Sequence, residues 1–128
     1  MISEFNCIYG VKNGCLRNQL YEKAIQKATQ IILCENTLSK IQVLDIGAGT
    51  GLLGMIAARA LLQNSNQDQN RNIQIISLEM ASAMSRITRH IIQCNQLHNQ
   101  IQILPYHSCE CNFNFLNEQK KCMNVDMK

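Results

Sequence analysis

The sequence predicts an α/β fold built on a doubly wound parallel sheet. One observation is that short, β-branched apolar runs alternate with longer stretches whose apolar side chains recur at helical spacing. A second is that glycines occupy alternate positions, Gly47, Gly49 and Gly51, directly after the first apolar run. A strand, a glycine turn and a helix in that order form the first half of a βαβ nucleotide-binding unit.

The first helix is predicted from Leu16 onward, after residues 1–15, which show little periodicity and are expected to be poorly structured. Its apolar side chains follow helical spacing and predict one amphipathic stripe, which consists of Leu16, Leu20, Ala24, Ile25, Ala28, Ile31 and Ile32. Residues 41–46 follow as the first strand, and their apolar, β-branched composition is typical of a buried parallel strand. The helix after the glycines is strongly apolar and is expected to run to about Leu62.

The second half of the chain repeats the pattern of strand, helix and strand. Residues 73–78 form the second strand, parallel to the first, and residues 101–104 form the third, which Pro105 stops. The helix between them is predicted to have Ser82 as its N-cap and an apolar face made of Ala83, Met84, Ile87, Ile91 and Cys94. Residues 63–72 are polar and low in complexity, and they predict a surface insertion loop within the domain.

The last residues of the sequence have the pattern of a further strand. Residues 123–127 look like the start of a fourth strand, and the sequence stops at Lys128. We therefore expect residues 16–128 to be a partial domain that is truncated within its fourth strand. In the usual order of this fold the fourth strand lies beside the first, so its loss would leave the first strand at an edge.

The composition of the chain limits its domain organisation and its partners. A chain of 128 residues with 46% hydrophobic residues allows one compact domain with a real core. The net charge of +3 is mild and the basic residues are scattered, so there is no direct signal for nucleic acid. The apolar runs are too short to cross a bilayer, and the start of the chain resembles neither a signal nor a transit peptide. No membrane partner is therefore expected.

The number and spacing of the cysteines indicate the cellular compartment of the protein. The seven cysteines are odd in number and contain no C-x-x-C pair. This usage predicts reduced thiols in an intracellular protein, in the cytoplasm, the nucleus or both. A zinc site made of His107, Cys109 and Cys111 is disfavoured, because structural zinc usually takes four ligands at C-x₂₋₄-C spacing.

The glycine loop is the strongest candidate site. Glycine allows the chain to turn tightly with positive φ and lets a ligand approach the backbone, while the following helix directs free N–H groups at that ligand. The spacing is G-x-G-x-G with Asp45 ahead of it, whereas the dinucleotide fingerprint G-x-G-x-x-G would have glycine at Leu52. No Gly-Lys-Ser/Thr follows, which excludes a P-loop. A glycine turn that binds no ligand is the alternative.

Two further acids follow predicted strands. Glu79 ends the second strand, where a carboxylate can accept hydrogen bonds from both hydroxyls of a ribose. Glu110 follows the third strand and could reach an adenine amino group. Either residue could instead be an exposed turn acid. Because the carboxyl ends of parallel strands share one edge of the sheet, these acids and Asp45 together predict a nucleotide site at that edge.

Asp45 and the glycines after it resemble motif I of the class I S-adenosylmethionine (SAM) methyltransferases, whose fold is a Rossmann-like doubly wound parallel sheet. Residues 16–25, Leu-Arg-Asn-Gln-Leu-Tyr-Glu-Lys-Ala-Ile, are similar to the Arg-x-x-x-Tyr-x-x-(Ala/Gly)-Ile helix of the protein arginine methyltransferases. Residues 107–110, His-Ser-Cys-Glu, are similar to a His-Ser-x-Glu run in the monomethylating type of that family. The resemblance covers roughly residues 16–127.

The resemblance implies SAM as the cofactor and gives each matching residue a role. Arg17 would bind the methionine carboxylate, and Glu79 would hold the ribose. Cys109, through its backbone, and Glu110 would hold the adenine. Asp126 would be the acid within strand four. The cofactor loop would be formed by Asp45, Gly47, Ala48, Gly49 and Gly51.

The resemblance also implies an activity, the transfer of a methyl group from SAM to a guanidinium nitrogen of arginine in a protein substrate. The family's two catalytic glutamates lie past strand four, so the catalytic residues are expected downstream of Lys128 and this chain alone is expected to be inactive. One alternative is another class I methyltransferase, acting on a small molecule or RNA, and a second is a non-catalytic SAM-binding remnant. A dinucleotide oxidoreductase is disfavoured because Leu52 replaces a glycine.

Overall fold

The structure is a computed structural model that describes residues 12–35, 39–65 and 71–111 of the chain. Helices and strands alternate along these residues as the sequence predicts. In chain order the elements are α1 (Lys12–Glu35), β1 (Lys40–Ile46), α2 (Leu52–Asn64), β2 (Asn72–Leu78), α3 (Ser82–Cys94), β3 (Ile101–Leu104) and a short 3-10 helix (Ser108–Glu110).

The described strands form one parallel sheet in the order β1-β2-β3, which confirms the predicted parallel pairing. Ile46 is in register with Leu78, and Leu78 is in register with Leu104. The three strands therefore end at the same edge of the sheet. Whatever follows each strand is brought together there, which is the usual position of a ligand site in an open α/β fold.

The core lies between α2 and the sheet, because α2 packs against all three strands. Met55 and Leu61 of α2 and Ile75 of β2 are fully buried. The strand β2 is the most buried of the three, since it has a neighbour on each side. Full burial of side chains of this size contributes about 1.5–3 kcal/mol each, so this layer is the main source of stability.

Helix α1 differs from the prediction in its start and in the face that it buries. It begins at Lys12 rather than Leu16. Most of the predicted apolar stripe is exposed, with Leu16 at 62% and Leu20 at 59%. The less exposed face contains Ile25, Thr29 and Leu33, and it is rotated about the helix axis relative to the predicted stripe. Helix α1 packs on α2. The buried Thr29 hydroxyl donates to the Gln26 carbonyl at 2.8 Å, so its burial leaves no unpaired polar group.

Helix α3 also buries a face other than the predicted one. Its N-cap is Ala81 rather than Ser82, and no side chain caps it. Ser85, Thr88 and Ile92 are buried, whereas Ile87 of the predicted face is exposed. Of the other predicted residues, Met84 and Ile91 are partly buried, and Ala83 and Cys94 are exposed. A helix can bury hydroxyls in this way because Ser and Thr donate to carbonyls of the preceding turn.

Strand β1 is less buried than its composition predicts. Only Ile41 is buried, and Ile46 is 57% exposed. Within residues 12–35, 39–65 and 71–111, β1 is paired on one side only, by β2. The predicted fourth strand and Asp126 lie outside the described residues, as do residues 66–70 of the polar insertion. In the part of the chain that the structure describes, no helix has the length and apolar character to cross a membrane.

Candidate functional site

The glycine loop lies between β1 and α2, at the carboxyl edge of the sheet. Its backbone is left-handed at Gly47, Gly49 and Gly51, with φ values of +71°, +55° and +79°. These values confirm the predicted reason for glycine, because other residues rarely adopt this region. The Gly47 and Ala48 N–H groups both donate to the Leu78 carbonyl at 2.9 Å, which ties the loop to the end of β2.

The loop is open where a ligand would approach it. A Cβ atom added at Gly47 or Gly49 would meet no heavy atom within 4 Å. Gly51 differs, because a Cβ atom there would lie 2.8 Å from Cγ2 of Thr88. The first part of the loop thus faces open space, and the last part packs against α3.

Glu79 lies at this loop, where the sequence analysis places it. Its Oε2 accepts a hydrogen bond from the Gly49 N–H at 2.9 Å, and its Oε1 accepts one from the Ala81 N–H at 2.9 Å. The carboxylate therefore joins the glycine loop to the start of α3. Each carboxylate oxygen has two lone-pair positions, so each retains capacity to accept a further hydrogen bond.

Asp45, near the end of β1, accepts hydrogen bonds from β2 and from the first turn of helix α2. Its Oδ2 accepts a hydrogen bond from the Ser77 hydroxyl at 3.3 Å, and its carboxylate also accepts the Gly54 backbone N–H. That N–H is one of the first-turn donors that a helix leaves unpaired. Burial raises the pKa of Asp45 above the ordinary 3.8, and the two hydrogen bonds oppose this rise. The sequence predicts Asp45 as a site residue, whereas its bonds to Ser77 and to Gly54 of α2 follow only from the tertiary structure.

The acid after β3 is held by its own turn. His107 and Glu110 form a capping box, in which His107 Nδ1 accepts the Cys109 N–H at 3.1 Å and Glu110 Oε2 accepts the His107 N–H at 3.3 Å. Both Cys109 and Glu110 are exposed. The resemblance assigns the backbone of Cys109 to adenine, and the N–H of that backbone is bonded to the His107 side chain in this structure.

Arg17 lies on α1 with an exposed side chain. Among the described residues, the structure shows no hydrogen bond between Arg17 and the glycine loop.

No group of three or more His, Cys, Asp or Glu side chains in the described part of the chain is arranged to hold a metal. Burial, together with the neighbouring Glu110, raises the pKa of the Cys111 thiol.

Thr88 is a site residue that the sequence analysis did not identify. Its side chain is fully buried, and its hydroxyl donates to the carbonyl of Gly49. The position carries no motif, and the sequence predicts an apolar buried face for this helix. Only the packing of α3 against the loop reveals the contact.

A parallel sheet, a glycine loop with left-handed turns and an acid that follows the next strand and bonds to the loop define a doubly wound α/β fold, in which ligands bind at this edge of the sheet. No family model matches the sequence. The chain is 33% identical over 98 residues to protein arginine N-methyltransferase 7 of Oryza sativa subsp. indica, which covers 77% of this chain. It is 32% identical over 98 residues to protein arginine N-methyltransferase 9 of Mus musculus, again over 77% of this chain.

A solved structure agrees with these relatives. The crystal structure of PRMT6-SAH matches 80% of this chain with a TM-score of 0.53 and 25% sequence identity. The predicted α/β fold and the resemblance to the protein arginine N-methyltransferases are therefore confirmed. The match covers 12% of the Oryza protein and 10% of the mouse protein, so the chain spans a small part of its relatives' length.

Proposed function

We propose that this chain is the SAM-binding part of a protein arginine N-methyltransferase. The observation that carries the proposal is the bond between Glu79 and Gly49 in a glycine loop that is open to ligand. The whole protein would transfer a methyl group from SAM to a guanidinium nitrogen of a protein arginine. The similarity to protein arginine N-methyltransferases supports arginine rather than a small molecule or RNA as the acceptor.

The loop and its acid fit the cofactor. The backbone at Gly47 and Gly49 has open space where a side chain would otherwise stand, so a ligand can lie directly on it. Glu79 is already fixed by two backbone N–H groups, and its oxygens can each accept one ribose hydroxyl in addition. The ribose would therefore meet a carboxylate whose position does not have to change on binding.

Other residues would complete the site. Arg17 would bind the methionine carboxylate as a charge-assisted partner, and Glu110 with the backbone of Cys109 would receive the adenine. For Cys109 this requires the N–H to exchange its bond with His107 for one with the ligand, or the ligand to use another backbone atom. Asp45 would support the loop without contacting the cofactor, because its carboxylate fixes the start of α2.

SAM supplies an electrophilic methyl group, and the described residues of this chain bind and orient the cofactor that carries it. Positioning and electrostatic stabilisation supply most of the rate in a group transfer of this kind. We propose that the residues that grip the arginine lie downstream of Lys128 in the whole protein, and that residues 1–128 alone have no transferase activity. Turnover of an arginine-rich peptide by the 128-residue chain would contradict this proposal.

Calorimetric titration with S-adenosylhomocysteine (SAH) tests the cofactor assignment. Glu79→Gln keeps the shape of the side chain but removes the charge, and it is expected to weaken binding by about 1.5–3 kcal/mol, or roughly 10- to 150-fold. Glu35→Gln is the matched control, because Glu35 is an exposed acid at the end of α1. It should bind like the wild type, and NAD should give no heat. Equal binding by the Glu79 variant and the wild type would refute the assignment.

We further propose an intracellular location, in the cytoplasm, the nucleus or both. Support comes from the cysteines, since the described Cys15, Cys34, Cys94, Cys109 and Cys111 are free thiols. Fluorescence microscopy of the tagged whole protein tests this proposal, and a signal in the secretory pathway would contradict it.

A further inference from the structure

We propose that Thr88 is a positioning residue for the cofactor loop, holding Gly49 with its hydroxyl and filling the space beside Gly51 with its methyl group. The proposal rests on the proposed function only where it concerns cofactor affinity. The contact itself belongs to the chain without any ligand. It links α3, a helix that carries no part of the recognised motif, to the backbone that would carry the cofactor.

A hydrogen bond links Thr88 to the glycine loop. Thr88 is fully buried, and its hydroxyl donates to the Gly49 carbonyl while it also lies 2.8 Å from the Met84 carbonyl one turn earlier in α3. A hydroxyl has a single proton, so the two carbonyls share it. Bonding to the preceding turn is the ordinary behaviour of a helical threonine. Bonding to Gly49 is the added interaction, and it satisfies a carbonyl in the loop.

Hydrogen bonds hold Gly49 from both sides. Its N–H donates to Glu79 Oε2 at 2.9 Å, and its carbonyl accepts from Thr88. The two peptide groups that flank its left-handed backbone are therefore both fixed. Since a peptide group is planar, the direction of the next N–H, that of Thr50, is set by the carbonyl that Thr88 holds. The loop thereby keeps one arrangement of its backbone groups.

The methyl group of Thr88 lies beside Gly51. A Cβ atom at Gly51 would lie 2.8 Å from Thr88 Cγ2 and 3.9 Å from Ile92 Cδ1, so Thr88 occupies the nearest part of that space. The side chain is β-branched and sits in a helix, where its rotamers are restricted. Its methyl group therefore packs in a fixed position against the last turn of the loop. The hydroxyl and the methyl group act on two different glycines.

A loop that is already ordered loses less conformational freedom when a ligand binds. Thr88→Val keeps the shape and removes the hydroxyl, which leaves the Gly49 carbonyl without that donor. Loss of one neutral hydrogen bond corresponds to roughly 2- to 12-fold in an equilibrium constant, so SAH affinity should fall by an amount in that range. Thr88→Ser keeps the hydroxyl and removes the methyl group, so it should retain most of the affinity.

The experiment uses the full 128-residue chain and three variants: Thr88→Val, Thr88→Ser and Ser85→Ala. Ser85 is the matched control, since it is a buried hydroxyl of the same helix that donates to the Ser82 carbonyl at 2.9 Å and not to the loop. Amide hydrogen exchange without ligand is measured by NMR at Gly49 and Gly51. The amide of Ile75, in the central strand, reports global opening. Calorimetry with SAH follows on the same samples.

We expect faster exchange at Gly49 in Thr88→Val, relative to Ile75, and weaker SAH binding. We expect wild-type exchange at Gly49 in Thr88→Ser and in Ser85→Ala. Unchanged loop exchange in Thr88→Val, or equally fast exchange in Thr88→Ser, would overturn the proposal. If the wild type binds no SAH, the proposed function fails, and the exchange data alone then decide whether Thr88 holds the loop.

Discussion

Replacing Gly51 with alanine is expected to destabilise the chain more than replacing Gly47 with alanine. Both glycines have left-handed backbone, with φ of +79° at Gly51 and +71° at Gly47. They differ in their surroundings, because an added Cβ atom meets nothing within 4 Å at Gly47 but lies 2.8 Å from Thr88 Cγ2 at Gly51. The pair of substitutions therefore separates the cost of the backbone conformation from the cost of the steric clash.

The expected losses of unfolding free energy have two contributions, one from the backbone conformation and one from the steric clash. Left-handed backbone costs a residue with a Cβ atom about 1–2 kcal/mol, and this cost applies to both variants. Overpacking a buried site costs about 1–3 kcal/mol more, and it applies to Gly51→Ala alone. Thr88 cannot easily turn away, because its side chain is fully buried and β-branched. The total for Gly51→Ala is about 2–5 kcal/mol of unfolding free energy.

Urea unfolding followed by circular dichroism is the assay. With a slope of about 1–3 kcal/mol per molar urea, the clash should place the Gly51→Ala midpoint roughly 1 M below that of Gly47→Ala. A double-mutant cycle with Thr88→Ser should recover part of the loss, since that substitution removes the methyl group that clashes. Equal midpoints for Gly51→Ala and Gly47→Ala would refute the packing of Thr88 against the loop.

Three further outcomes are expected. Because the pKa of Asp45 is raised, the folded state binds more protons than the unfolded state between pH 3.8 and the raised pKa. The unfolding free energy of the wild type should therefore fall, relative to that of Asp45→Asn, as the pH rises through this window. Parallel pH profiles of the two proteins in urea unfolding would contradict this. Ser77→Ala removes a hydrogen bond that lowers the pKa of Asp45, so NMR titration should find that pKa higher still, and an unchanged or lower value would argue against the contact. His107→Ala frees the Cys109 N–H and should cost about 1 kcal/mol of unfolding free energy, whereas no change in the urea midpoint would show that the cap is not stabilising.

The sequence predicts the strands and the glycine loop well, because their signals are local. The alternation of Ile and Gln in Ile101–Leu104, which Pro105 ends, is typical of a short strand, and glycine spacing at Gly47, Gly49 and Gly51 reflects a backbone requirement that the structure confirms. The position of Glu79 at the loop also follows from local order, since the end of one parallel strand lies beside the end of the next.

The faces of the helices were harder to predict, because they depend on what each helix packs against. In α1 the apolar spacing shows where the apolar side chains lie, but Leu16 and Leu20 face outward while Thr29 is buried. In α3 the buried face contains hydroxyls that bond to carbonyls, so hydropathy misplaces it. Thr88 illustrates the limit, since its main role depends on a contact with Gly49, which is 39 positions away in the sequence.

An NMR titration of the 128-residue chain with SAH, with the backbone amides assigned, asks directly whether the glycine loop is the SAM site. We expect the largest shifts at Gly47, Gly49, Thr50 and Gly51, with smaller shifts after Glu79, and we expect NAD to cause none of them. Saturable binding of SAH with the largest shifts elsewhere, or no shifts from a chain that is folded, would contradict the assignment of this loop as the SAM site.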